Sequence, residues 1–456
     1  MRFPAVCSIM VRKNIMMNTR RGFIGGTLAT GMFSALNAAT EKMGSRSASG
    51  DVWGGWKSGE FQVHFIYTGV AESMFIIFPD STTMLLDCGD HAAVTRLDLA
   101  VPVMPNSGRL AGDWIARYVR RVNPNGDQVD YMVTSHFHID HTGTPCWQSR
   151  RVLKDGDERT GCYRSGFGLA IEHLHFRKAV DRGWPNYDDP VPFVDSDWKP
   201  LEHMKRIYAY LVKRDGMEIE KFRLGATDQF VPLHNQAMAN GFLVRNLCAN
   251  GRIAYPDGHV HDVCSENNVY ESLGRLNFNG SGRIDHGYLE NMMSIGMVFS
   301  YGKFRFYTAG DFSGPPEFPE VEKAIGKATG KVDVAKINHH GHHSMPPELV
   351  GDFQARVYVA CVWDQLHVTD DTMTHLSDTS LYSGERTVFP GIMAAERRLV
   401  EGDRQWMRNV PKAVYEGAHI VLSVPPGGET YRVTCLTAAD ESMRIKAQFE
   451  YRTHDK

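Results

Sequence analysis

The chain has 456 residues, 42% of them hydrophobic and 23% charged, enough apolar content to bury a large core in one big domain or two ordinary ones. A formal net charge of −3 at pH 7 excludes a protein that coats nucleic acid through bulk charge, though not one with a local basic groove. Its eight cysteines (7, 88, 146, 162, 248, 264, 361, 435) stand singly with no CxxC pair, so neither a cysteine zinc site nor a disulfide framework is predicted.

In chain order, the first feature is Thr19-Arg20-Arg21-Gly22-Phe23-Ile24 ahead of the small and apolar run Gly25 to Ala39. Paired arginines before such a run resemble a twin-arginine export signal, with Met17 as a candidate start. The run is short for a membrane span, which needs about 20 apolar residues. Asn37-Ala38-Ala39 lacks the small residue expected at the first position of a cleavage site. Residues 1–45 are therefore assigned to an export signal and linker, with polar residues Thr40 to Gly50 left out of the fold. The expected location is periplasmic or extracellular, with the export machinery as a partner and no stable membrane span.

Structure is predicted to begin near Phe61. Phe61 to Gly69, Ser73 to Phe78 and Thr83 to Gly89 are strand-like runs, with a turn at Pro79-Asp80-Ser81. Trp114, Ile115, Tyr118, Val119 and Val122 share one helical face, which predicts a core-packed helix over Asp113 to Val122. Asn123-Pro124-Asn125-Gly126 ends it. The apolar run Tyr131-Met132-Val133-Thr134 then reads as a buried strand, followed by His136-Phe137-His138-Ile139-Asp140-His141. On an extended segment His136 and His138 point to the same side and can reach one ion. Asp140 and His141 lie on the turn that follows and can serve a second. Imidazole with carboxylate suits zinc, iron or manganese, whereas calcium takes oxygen alone.

Residues 145 to 280 are less patterned. Gly161 to Ala179 is expected to be strand then helix, Asp181 to Tyr187 a loop and Glu202 to Asp215 a helix. The region, which includes His173, His175, His234, His259, His261 and His286, reads as an insertion at about 145–285 that shapes substrate access. Met292 to Ser300 and Lys303 to Ala309 then form a predicted hairpin about Tyr301-Gly302, running into Gly310-Asp311. A helix over Glu320 to Ala328 precedes a strand, Val332 to Ile337, that ends in Asn338-His339-His340-Gly341. Val357 to Val362 is one more strand, ahead of Trp363-Asp364-Gln365-Leu366-His367. The tail segments His419 to Val424, Tyr431 to Leu436 and Met443 to Tyr451 read as edge strands finishing the second sheet. No Ser-centred elbow motif is present.

The HxHxDH order at 136–141 is the signature of the metallo-β-lactamase fold, and the chain resembles that superfamily over roughly residues 61–145 and 288–370. The His339-His340-Gly341 form is closest to the branch that holds the hydrolase domain of bacterial DNA-uptake channels and the choline-phosphate esterases. Where that branch has Gly-Gln-Gly-Asp after the first strand, this chain has Gly69-Val70-Ala71-Glu72. The resemblance implies an α/β fold, a four-layer αββα sandwich over residues 50–456 with the inserted segment inside it. It implies two divalent metal ions, Zn2+ or Mn2+, held by His136, His138, Asp140, His141, Asp311 and His340. Asp311 would bridge both ions, and Asp87 would hold the His loop from behind. His339 and His367 are candidates for substrate contact or alternative ligation, and a third His for the first metal is expected from the inserted segment.

Two such cations, roughly 3.5–4 Å apart, bring the pKa of a shared water near neutrality and stabilise negative charge on a carbonyl or phosphoryl oxygen. Asp140 would bind the second metal and orient the nucleophile. The expected function is an exported metal-dependent hydrolase that uses a metal-bound hydroxide on a phosphodiester. One other reading is a hydrolase of lactams, lactones or other carbonyl esters with the same metals. Another, of a different class, is a non-catalytic metal-binding scaffold. The motifs specify fold and metal more closely than substrate.

Overall fold

Short runs of β-branched and aromatic residues, closed by Gly, Pro, Asn or Asp, set the strands of this chain. The structure, a computed structural model, describes residues 50–91, 101–144, 162–193, 199–269, 286–314, 318–393 and 408–455. The export signal expected at residues 1–45 lies outside the described residues. In chain order the strands are β1 (Phe61–Phe65), β2 (Met74–Ile77), β3 (Thr83–Leu86), β4 (Gln128–Val133), β5 (His175–Asp181) and β6 (Glu218–Lys221). Then come β7 (Phe242–Ala249), β8 (Arg252–Ala254), β9 (Val260–Asp262), β10 (Gly296–Tyr301), β11 (Phe304–Thr308) and β12 (Val334–Lys336). The last are β13 (Val357–Ala360), β14 (Thr387–Pro390), β15 (Ala418–Val424), β16 (Thr430–Thr437) and β17 (Ile445–Arg452).

They form two mixed sheets. The nine-stranded sheet runs β17-β16-β15-β1-β2-β3-β4-β5-β6, and the eight-stranded sheet runs β14-β13-β12-β11-β10-β7-β8-β9. In the first, β3 to β6 are parallel and the remaining pairs antiparallel. In the second, β11 to β14 are parallel and the remaining pairs antiparallel. Parallel neighbours need crossovers, and helices supply them. Ala111–Val122 joins β3 to β4 and Pro200–Asp215 joins β5 to β6. Glu320–Thr329, Pro347–Phe353 and Asp370–Ser377 stand successively between β11, β12, β13 and β14.

Side chains alternate across the strands. Met74, Ile76, Met84, Tyr131 and Val133 join the cluster shared with the eight-stranded sheet. Phe75, Ile77, Leu85 and Met132 instead pack with Ile115, Val119, Ile207 and Leu211 of the helices. Both faces are buried, which is why these strands read as nearly continuous apolar runs. Between the sheets Phe78 lies 4.6 Å from Phe242 and Phe61 stacks 5.8 Å from Phe299, centroid to centroid. On the outer side of the second sheet Tyr307 meets Phe353 at 4.6 Å. Among the described residues no helix is long and apolar enough to cross a membrane.

Three expectations from sequence need correction. In Gly161 to Ala179 the order is reversed, with the short helix Phe167–Ala170 ahead of strand β5. Parallel pairing with β4 decides the second run, because a short apolar stretch has no periodicity of its own that separates strand from helix. The tail strands complete the first sheet, not the second: β15 pairs along β1, with Phe61 opposite Val424, and so lies inside the sheet. In the central hairpin Tyr301 pairs with Phe304, so the turn is Gly302-Lys303. Gly302, at φ +58°, approaches the Gly427 carbonyl so closely that a Cβ would lie 2.1 Å from it. Met292 ends the helix His286–Met292, and β10 starts at Gly296.

Residues 162–269, within the segment read as an insertion, supply β5 and β6 to one sheet and β7 to β9 to the other. The chemistry-bearing loops share one edge of the structure. Asp87 follows β3, the His loop follows β4, Asp311 follows β11, His340 follows β12 and His367 follows β13. These are the carboxyl ends of the parallel strands, where open α/β sheets place their sites.

Candidate metal centre

Backbone hydrogen bonds hold the His loop before any side chain does. Cys88 N donates to the His141 carbonyl at 2.8 Å, Asp90 N to Ile139 O at 2.8 Å and Glu72 N to Asp140 O at 2.8 Å. Gly89 sits so close that a Cβ would lie 1.7 Å from Asp140 O, so only glycine fits there. Asp87, itself at φ +60°, accepts from Ser135 N at 2.7 Å and from Ser135 Oγ at 2.6 Å. Its Oδ2 also lies 2.9 Å from His141 Nδ1. The other sheet is tied in through Ile295 N, which donates to Ser135 O at 3.0 Å.

These constraints bring five predicted side chains together around Asp311, itself the sixth. His136 Nε2 and His138 Nδ1 are 3.0 Å apart, and His136 Nε2 is 3.9 Å from Asp311 Oδ2. The same oxygen lies 3.2 Å from His141 Nε2 and 3.1 Å from His340 Nε2. Asp140 Oδ2 is 2.9 Å from His340 Nε2 and 3.5 Å from His141 Nε2. Ligands about 2.1 Å from one cation stand about 3.4 Å from each other, so these separations fit metal coordination. The imidazoles are also turned the right way. His141 Nδ1 is committed to Asp87, His340 Nδ1 meets the Cys361 carbonyl at 2.7 Å, and His136 Nδ1 meets Ser135 Oγ at 3.1 Å, which leaves each Nε2 facing the cluster. Two sets emerge that can hold a metal: Glu72, His141, Asp311 and His340, and His136, His138 and Asp311.

Burial alone would lower the His340 imidazole, but Asp311 and Asp140 beside it carry it up to about 9. His141 likewise rises against burial, through Asp311, Asp140, Glu72 and Asp87. Burial would lift the Asp311 carboxyl, yet His340 and His141 hold it well below the usual carboxylate range. His141 and His340 do the same for Asp140. His136 falls well below its ordinary value through burial and the neighbouring His141 and His138. The carboxylates are thus held ionised and require positive charge opposite them.

Beneath the cluster lies a feature that sequence reading missed. Lys336 Nζ is fully buried, 2.8 Å from Glu72 Oε1, and donates to the Gly310 carbonyl at 2.6 Å. It is also 3.6 Å from Asp311 Oδ1, while Glu72 Oε2 is 3.3 Å from His340 Nδ1. Burial would push the ammonium down, but Glu72 and Asp311 carry it up instead. Burial pushes the Glu72 carboxyl up, against Lys336, His141 and His340. The only signal in the sequence was the Gly69-Val70-Ala71-Glu72 departure, and nothing there pointed to Lys336.

His339 and His367 take different places. His339 Nε2 faces Asn291 Nδ2 at 3.1 Å and its Nδ1 faces Ser313 Oγ at 3.1 Å, so it stands beside the cluster, not in it. Buried His367 stacks on His340 at 5.2 Å. His343 is exposed on Asp371, whereas His342 lines the cavity over the centre. The third histidine expected from the inserted segment is not found among the described residues. His173, His175, His234, His259 and His261 pair with Asp113, Asp215, Asp130, Asp257 and Glu266, all outside the cluster. The side chain of His286 lies outside the described residues.

No family model matches the chain, and no curated protein matches it.

The Lys336–Glu72 pair yields a direct prediction. Lys336→Met leaves a buried carboxylate without its partner and is expected to cost about 3–5 kcal/mol in urea unfolding. Glu72→Gln added to it should recover part of that loss. A cost below about 1 kcal/mol would show that the pair is not held ionised.

Proposed function

We propose that this chain is an exported hydrolase of the metallo-β-lactamase fold that holds two divalent cations, zinc or manganese, and cleaves a phosphodiester. The observation that carries the proposal is the meeting of His136, His141 and His340 on one oxygen of Asp311. Two mixed sheets with helices packed outside them agree with an αββα order, and the ligands come from the loops at one edge. His136 and His138 would hold one cation, Asp140, His141 and His340 the other, and Asp311 both. Divalent cations there would supply hydroxide at neutral pH and offset charge growing on the reacting oxygen.

The chain's own residues do the positioning. Asp87 and the Cys361 carbonyl fix the His141 and His340 rings, so that each Nε2 stays turned to the centre. Asp140 lines the cavity, where its carboxylate would accept a hydrogen bond from the attacking water and orient it. A site kept for structure alone has no use for an opening, and this one opens into a cavity of about 480 Å³, which weighs against the scaffold reading. Cleavage of a carbonyl ester or lactone by the same centre is the second reading. It is favoured by the lack, among the described lining residues, of any Lys or Arg not already paired.

Protein loaded with zinc or manganese should hydrolyse bis-(p-nitrophenyl) phosphate and lose that activity on chelation. Asp311→Asn should lose at least one metal per chain and nearly all turnover, at least about 100-fold, because an amide offsets cation–cation repulsion poorly. Turnover confined to lactones or other carbonyl esters would move the assignment to the second reading. Full metal content and rate in Asp311→Asn would refute the centre itself.

Export belongs to the same proposal and rests on Arg20-Arg21 ahead of the apolar run. Replacing both by Lys should leave folded protein in the cytoplasm. Unaltered periplasmic delivery of that variant would refute the twin-arginine route.

A further inference from the structure

We infer that the substrate carries an uncharged, apolar group directly beside its reacting ester, and that polyanionic esters are excluded; this rests on the hydrolase reading above. The cavity over the centre is walled by Phe137, Ile139, Phe193, Tyr288, Leu289 and Trp363. Phe137 and Ile139 belong to the His loop itself, and the Trp363 ring stands 5.6 Å from His340 and 4.9 Å from His367. Apolar surface therefore begins at the ligands, next to the polar side chains of His91, Asn291, His339 and His342 that line the same cavity.

Arg182 is the one Lys or Arg among the described lining residues, and it is already used. Its Nε and Nη2 donate to Glu290 Oε1 and Oε2 at 2.9 and 2.7 Å, and its Nη1 donates to Asn250 Oδ1 at 3.2 Å. The guanidinium lies against two rings that touch each other, 5.6 Å from the Phe137 centroid and 5.3 Å from that of Phe193. Glu290 Oε1 also accepts from Phe137 N at 2.9 Å. The pair thus neutralises itself and props up the aromatic wall, and the fork that would clamp a phosphate is closed. A nucleotide or sugar phosphate would press its extra charges against this wall unpaired, which is costly in a desolvated site. An aryl or alkyl group would displace only water from it.

Two pairs of esters, each pair sharing the p-nitrophenol leaving group, test this. Zinc-loaded protein should turn over phenyl p-nitrophenyl phosphate with a kcat/KM at least about tenfold above thymidine 3′-phosphate 5′-(p-nitrophenyl phosphate), whose second phosphate carries the extra charge. The same order is expected of p-nitrophenyl butyrate over p-nitrophenyl hemisuccinate. Phe193→Ser, or Leu289→Ser should the first fail to fold, is expected to erase most of the preference through KM. Equal rates, or a preference untouched by both variants, would overturn the inference. Binding of uncharged N-phenyl-1-naphthylamine to the chelated protein separates it from the hydrolase reading. If no ester is cleaved but the probe binds and Phe193→Ser weakens it, the apolar seat stands and the hydrolase reading falls. If the probe does not bind, or binds both proteins alike, the inference falls whatever the activity.

Discussion

One oxygen of Asp311 is the point on which the centre depends. It faces His141 and His340 at 3.2 and 3.1 Å and His136 at 3.9 Å, on a side chain that is almost fully buried. A carboxylate in that position is tolerated only if positive charge surrounds it. The structure supplies part of that charge through the Lys336 ammonium, 3.6 Å from the other oxygen, and leaves the imidazole Nε2 atoms facing the first. Lys336 in turn needs Glu72, and Glu72 reaches under His340. The residues below the centre are thus as interdependent as those that face the cavity.

The two sheets matter because neither builds this site alone. One contributes the His loop, the other Asp311 and His340, and the seam is closed by contacts such as Ile295 N to Ser135 O. At Gly310, where φ is +51°, a Cβ would lie 2.8 Å from Ser135 Cβ, so the strand end carrying Asp311 comes near enough only as glycine. Packing of Phe61, Phe78, Phe242 and Phe299 between the sheets fixes their spacing and with it the separation of the ligands.

What could be read from the sequence was mostly local. His136 to His141 announce a metal loop because four donors crowd six residues, whereas Asp311 and His340 came from the resemblance, whose pattern has a Gly-Asp and a His-Gly after the matching strands. The amphipathic helices over 111–122 and 200–215 were visible within two residues of their starts. Features decided by distant partners were not legible. Alternation says that Ala418–Val424 is a strand but not that it pairs with β1, and the Lys336–Glu72 contact joins residues far apart in the chain. Arg182 looked like an ordinary loop cation until the fork of Glu290 and the rings of Phe137 and Phe193 came round it. The third histidine was an expectation from resemblance, and the five described candidates each already have a carboxylate partner.

The central claim is that one carboxylate joins two cation sites. Anomalous diffraction at the zinc edge from crystals of zinc-loaded protein tests it most directly. Two peaks are predicted, one against His136 and His138 and one against Asp140, His141 and His340, both within bonding distance of Asp311. Zinc bound only elsewhere on the chain, or no peak at Asp311, would contradict the account.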